Sequence, residues 1–403
     1  MIKTGQIYLI ENPCRQRVRG VETRQFSRQA RDRVHHWHLS LPGYAPTPLQ
    51  SLRGLAERLG IGEIRVKDES HRFGLNSFKA VGVSYAIARL LTGENEEPVF
   101  ENLRKSLSSE SSSKITFVSA TDGNHGRAVA WMARLLNADC MVYMPFGTEQ
   151  ARIDAIHALG GHAEVINGNY DDAVSYASAK AETHGWKLIQ DMAWEGYTSV
   201  PLWIMQGYSA LLSEVLEQVD NFKPSHVFLQ AGVGSMASGV QAAVVEQYGI
   251  QGPTVCIVEP ENAACYFKSM QQADGELHGL DGHLETSMAG LACGTPSSLA
   301  WPIIRDYSDF SIKCTDYITE LGMRVLAHPS GDDEKIISGE SGAVTTGLLV
   351  ELMENKNNRD LVEKLSLGPE SKILLISTEG ATDPENYRRV ISQQTEVLNE
   401  TDT

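Results

Sequence analysis

The chain has 403 residues, 42% of them hydrophobic and 21% charged, and its 35 basic and 51 acidic side chains give a formal net charge of −16. This length and apolar share suit two or three packed domains and exclude a disordered, collagenous or disulfide-scaffold protein. So acidic a field repels phosphate backbones, which excludes nucleic acid as the principal partner, and no apolar run reaches the ~20 residues that span a bilayer, so no membrane is expected.

The N-terminal stretch is rich in arginine (Arg15, Arg17, Arg19, Arg24, Arg28, Arg31) but is interrupted by Glu11, Glu22 and Asp32. Interleaved acids disfavour a targeting segment; a surface helix, or an arm docked on a second subunit, fits better. Short β-rich runs then alternate with helical spacing. Strands are expected over 63–67, 115–119, 140–144, 163–166, 187–190, 226–230, 254–258 and 372–376, with helices such as 124–136 and 149–159 between them. Such alternation implies parallel sheets covered by helices on both faces, an α/β protein. Residues 93–114, acidic and then serine-rich, read as a surface insertion or a connection between domains. The six cysteines (14, 140, 256, 265, 293 and 314) form no CxxC and no zinc-spaced cluster, so no metal is expected and the protein is placed in the cytoplasm.

Four segments can carry chemistry. In KDESHRFGLNSFKA (67–80), Lys79 opens a helix among apolar neighbours, where the helix dipole disfavours an ammonium. A lowered pKa there suits Schiff-base formation, although a solvated lysine is the commoner role of such a position. In SATDGNHGR (119–127) a strand runs through Thr121, Asp122 and Gly123 into a helix, a junction whose amides and hydroxyl can hold a carboxylate. Asn124 can donate to a ring oxygen, Asp122 fits a helix cap equally well, and His125 reads as structural. In VFLQAGVGSMASG (227–239), Gly232, Val233, Gly234, Ser235 and Met236 shape an anion cradle at a helix start. The same run satisfies a GxGxxA dinucleotide pattern with Glu259 ending the next strand, so a nicotinamide-dependent oxidoreductase stays open at this point. In KILLISTEGATD (372–383), Thr378 places a hydroxyl at the end of a strand, where open α/β sheets bind ligands, and Asp191 ends another strand and can face the same crevice.

Taken together these segments resemble the fold-type II pyridoxal-phosphate enzymes, the tryptophan synthase β-like family, which carry SFK, GNHG, a glycine-rich turn and a strand-terminal hydroxyl in that order. TDGNHGR, QDMAWEGYTSVPLWIMQGY and ISTEGATD are most similar to the diaminopropionate ammonia-lyase branch, and matching stretches span nearly all of the chain after about residue 37. The resemblance implies pyridoxal 5′-phosphate joined to Lys79, with Asn124 on its 3′-oxygen, Gly232, Val233, Gly234, Ser235 and Met236 on its phosphate, and Thr378 on its ring nitrogen. It implies a discontinuous large domain (1–91 and 196–403), a small mobile domain (92–195) and a homodimer. It also brings Cys265 and Cys293 towards each other, with two reduced thiols as the plain alternative.

Asp122 is the informative departure, because serine and threonine dehydratases carry Ser, Ala or Gly there. Lys79 and Asp122, on opposite faces of the cofactor, can serve as bases for the two enantiomers of a substrate, and Asp191 adds an anion suited to a β-ammonium group. The substrate carboxylate is expected against Thr121, Asp122 and Gly123. The expected reaction is α,β-elimination of 2,3-diaminopropionate, from the D isomer, the L isomer or both, to pyruvate and ammonia. A serine or threonine dehydratase is the alternative, against which the two aspartates argue.

Overall fold

A computed structural model describes residues 6–16, 20–93, 96–108, 114–121, 123–282 and 284–393. Its strands are β1 (Ile7–Glu11), β2 (Leu49–Ser51), β3 (Glu63–Asp68), β4 (Thr116–Ala120), β5 (Asp139–Met144), β6 (His162–Val165), β7 (Lys187–Leu188), β8 (His226–Gln230), β9 (Thr254–Pro260), β10 (Phe310–Cys314) and β11 (Lys372–Ser377). They form a seven-stranded sheet in the order β1-β10-β9-β8-β11-β3-β2 and a four-stranded sheet in the order β6-β5-β4-β7. The smaller sheet is parallel throughout. In the larger one the five inner strands are parallel, whereas β1 and β2 run antiparallel to β10 and β3. The expectation of parallel sheets therefore holds for the interior and is corrected at both edges.

Alternation along each inner strand splits the core. Val227, Leu229, Val255, Ile257, Leu374 and Ile376 face one apolar cluster, while Phe228, Cys256, Val258, Ile373 and Leu375 face the other. A strand buried on both faces reads as an unbroken apolar run, which is why these segments are legible in the sequence. The expected strand over 187–190 stops at Leu188 because Gln190 leaves the ladder. Its backbone N–H donates to Tyr197 Oη, and its side chain takes over the link to the neighbouring strand by accepting from Ala120 N.

One reading is corrected. The stretch 93–114 is not merely a connection, since it contains the helix Phe100–Leu107, whose Phe100 and Leu103 are buried in the larger core cluster, with the Phe100 ring against Trp37. In the arginine-rich N-terminus the expected helix is present at Arg28–Ser40, and two of the described arginines are held by residues of the same chain. Arg15 pairs with Asp309 at 3.0 Å, and buried Arg31, in the helix Arg28–Ser40, donates to Phe26 O and Gln247 Oε1.

A buried ionic cluster anchors the segment that leads from β3 towards Lys79. Glu214 accepts from Lys67 at 2.6 Å and from Arg72 at 2.7 Å, and Arg72 also pairs with Glu69 at 2.8 Å. Burial alone would raise the Glu214 carboxyl, but Arg72 and Lys67 draw it down to about 2. Glu214→Ala leaves buried cations uncompensated, and its expected cost is about 3–5 kcal/mol. The check is a lowered urea midpoint against Glu217→Ala, whose target side chain is half exposed.

Candidate active site

Three strand ends converge because their strands are neighbours in the large sheet. β8 ends at Gln230 beside β11, and β11 pairs with β3 up to Ser377 opposite Asp68. Past these ends the chain crosses itself: Phe78 N donates to Thr378 O at 3.1 Å, and Gly380 N donates to Asn76 O at 2.9 Å. The turn before Lys79 is thereby pinned to the turn that carries Thr378. A cavity opens at this junction, and Lys79, Asn124, Asp191, Gly232, Val233, Gly234, Ser235, Met236 and Thr378 all line it.

Lys79 begins the helix Lys79–Thr92, as expected. Its neighbour is not only apolar, because Nζ donates to Asp191 Oδ2 at 2.6 Å. Burial alone would raise the Asp191 carboxyl; Lys79, with a smaller effect from His125, lowers it to about 2. His125 is buried, its Nε2 lies 2.9 Å from Ile189 O, and its Nδ1 lies 3.7 Å from the Asp191 carboxylate. The hydroxyl of Ser235 donates to Asp191 O, which ties the aspartate to the glycine-rich turn.

That turn leads into the helix Ser235–Tyr248, with Gly234 at its cap in the left-handed region (φ 91°). A Cβ at Gly234 would collide with Tyr266 Oη, which itself donates to Val233 O at 2.7 Å. One at Gly232 would press on the backbone of Gly290 and Leu291. Only a glycine backbone fits between these walls, and the first-turn amides beyond it have no acceptor within the helix. The arrangement is a cradle for an anionic group.

Several lining residues were not singled out in the sequence. Phe78 and Ser341 line the cavity, Gln230 donates to Thr378 Oγ1 at 3.2 Å, and Glu379 Oε2 accepts from Asn124 Nδ2 at 2.5 Å. Gln230 and Glu379 lie within two residues of recognised positions, but nothing in their local pattern shows that the fold turns them inward. Thr121 and Gly123 do not line the cavity: the Thr121 hydroxyl accepts from Gly123 N at 2.9 Å and so shapes the turn itself. Asp122 lies outside the described residues. Cys265 and Cys293 both border Gly232. The dinucleotide reading loses its ribose-binding acid, since Glu259 is fully buried and accepts from Tyr266 N and Phe267 N at 2.9 and 2.7 Å.

A lysine facing a glycine cradle and a strand-terminal hydroxyl, with a smaller parallel sheet beside the larger, defines a fold-type II cofactor enzyme. The family model described as "Pyridoxal-phosphate dependent enzyme" matches residues 40–379. Diaminopropionate ammonia-lyase of Escherichia coli K12 is 45% identical over 372 residues, covering 91% of this chain and 92% of that protein. The solved holo structure of the Escherichia coli enzyme shares 42% identity with a TM-score of 0.90, covering 97% of this chain and 98% of that one. The same enzyme solved in complex with D-serine shares 43% identity with a TM-score of 0.89, covering 96% and 97%. This chain belongs to the pyridoxal-phosphate dependent enzyme family, within the diaminopropionate ammonia-lyases. Its cofactor is pyridoxal phosphate, and the oxidoreductase reading is set aside.

Gly234→Ala is expected to weaken cofactor binding at least about tenfold through the clash and the positive φ, with far-ultraviolet circular dichroism unchanged; cofactor titration checks this. In the cofactor-free protein, the lowered Asp191 pKa contributes stability that is complete above its ordinary value of 3.8 and is lost as pH falls towards about 2. The advantage of the wild type over Asp191→Asn, on the order of 2 kcal/mol near pH 5, should therefore shrink towards pH 2, as read by unfolding midpoints across that range.

Proposed function

We propose that this chain eliminates ammonia from 2,3-diaminopropionate: the α-proton leaves Cα, the β-amine departs as ammonia, and the enamine product takes up water to give pyruvate and a second ammonia. The observation that carries the reading is the Lys79–Asp191 pair at 2.6 Å inside a cavity bounded by the glycine cradle, in a chain 45% identical to a diaminopropionate ammonia-lyase.

Bound pyridoxal phosphate supplies an electron sink that lets a proton leave Cα. Lys79 would hold the group, and its amine would take or return a proton on its own face of the substrate. Gly232, Val233, Gly234, Ser235 and Met236 would hold the phosphate with backbone amides and the helix start. Asn124 would donate to the 3′-oxygen, and the neutral hydroxyl of Thr378 would stand towards the ring nitrogen. Asp191 offers its carboxylate to a cation, either the Lys79 ammonium or the β-ammonium of the substrate, and Asp122 serves the opposite face. Thr121 and Gly123 shape the turn against which the substrate carboxylate rests, with Asp122 between them.

The small domain, 92–195, closes over this site against the discontinuous remainder, 1–91 and 196–403, and excludes water. The four-stranded sheet, built wholly within that span, and the Asn124–Glu379 bond that reaches across to it support this division. The enzyme acts in the cytoplasm as a homodimer. Exposed Leu39 and Val99, on segments joined by the Phe100 N to Ser40 Oγ bond, fit a face covered by a second copy, and sedimentation equilibrium tests that assembly.

Lys79→Ala should abolish both the visible absorption of the holoenzyme and pyruvate release. Asp122→Asn should impair one enantiomer of diaminopropionate by about 100-fold or more and spare the other; equal, small effects on both would sink the two-base reading. Faster pyruvate release from L-serine than from either diaminopropionate isomer would replace the proposed reaction with a dehydratase.

A further inference from the structure

Gln230 ends β8, is 2% exposed and lines the cavity. Its Nε2 donates to Ser341 O and Ile376 O, both at 2.9 Å, and stands 3.2 Å from Thr378 Oγ1. Backbone carbonyls only accept, so the amide has a single allowed orientation, with its NH2 group towards these three oxygens. An amide nitrogen donates and does not accept. Its two N–H bonds serve the carbonyls at 2.9 Å and reach Thr378 Oγ1 only as a shared, longer contact, and the hydroxyl cannot give its own proton to the amide nitrogen. Among the described residues no other group accepts that proton, which leaves the cavity as its direction. The side chain also bridges a place where the sheet ladder has ended, since β8 and β11 pair only at His226–Ile373 and Val227–Leu374.

This placement carries a cost. Gln230 Oε1 is buried and has no partner among the described residues. Buried polar atoms are ordinarily satisfied, and an apolar side chain of similar length would fill the same space without an orphan. Without the amide, the carbonyls of Ser341 and Ile376 would lose their donor, and the Thr378 hydroxyl would lose the neighbour that keeps its proton turned towards the cavity.

We infer that Gln230 is a positioning residue: it sets the Thr378 hydroxyl as a proton donor towards the cavity, so that the chain presents a donor and not an acceptor to the ring nitrogen of the cofactor. The inference rests on the reading above that Thr378 faces that nitrogen.

The test compares dissociation constants of pyridoxal phosphate and of an analogue with carbon in place of the ring nitrogen, in the full-length wild type, Gln230→Met, Thr378→Val and the double variant. The wild type is expected to prefer the natural cofactor by about 5–10-fold, the value of one hydrogen bond. Each single variant should abolish the preference, and the double variant should add nothing, because both act through one contact. A purely structural Gln230 would weaken both ligands equally and leave the preference intact, which would overturn the inference alone. A wild type with no preference would overturn the placement of Thr378 and the inference with it. Should Gln230→Met fail to fold, Gln230→Glu keeps the length and shape; its carboxylate accepts the Thr378 proton, so the preference should again be lost, and a retained preference would overturn the inference.

Discussion

The site depends on the side-by-side pairing of β8, β11 and β3. Parallel strands share a direction, so all three release their chains at the same edge of the sheet. The glycine-rich turn, the Thr378 turn and the turn before Lys79 must then meet there. The crossed backbone bonds between 76–78 and 378–380 lock two of these turns into one unit. Every described side chain with a proposed chemical role sits on this edge or reaches it from the smaller sheet.

Electrostatics decides what the edge can hold. Lys79 and Asp191 form a nearly buried pair whose mutual attraction outweighs the desolvation of the carboxylate, as the lowered Asp191 pKa records. The glycine cradle contributes polarity without formal charge, since its amides point where an anion is favoured. The buried Lys67–Glu214–Arg72–Glu69 cluster contributes none of the residues that line the cavity. It fixes the route from β3 towards Lys79, because unpairing any of its charges in a dry interior is costly.

Much of this was legible in the amino-acid order. The strand readings over 226–230 and 372–376 match β8 and nearly all of β11, because a strand buried on both faces is a continuous apolar run between glycine or polar boundaries. β2 escaped because three residues show no period, whereas β10, whose FSIKC alternates apolar and polar residues, carries the strand signal and was legible without being anticipated. The helix Phe100–Leu107 was hidden by its acidic and serine-rich flanks, although Phe100 and Leu103 carry its buried face. Gln230 and Glu379 stood beside recognised motifs, yet their inward aim follows from carbonyls and amides more than a hundred residues away.

By itself the sequence determined the local units: which runs are strands, which turns are glycine-rich, which residue types stand at strand ends, and from their order the family. These follow from side-chain period and backbone permissiveness, properties of a few consecutive residues. The tertiary structure alone decided which ends became neighbours, that a carboxylate faces Lys79 at 2.6 Å, and that Thr121 shapes its turn and does not line the cavity. Those outcomes depend on strand order and on hydrogen-bond partners distant in the chain, and no local pattern carries that information.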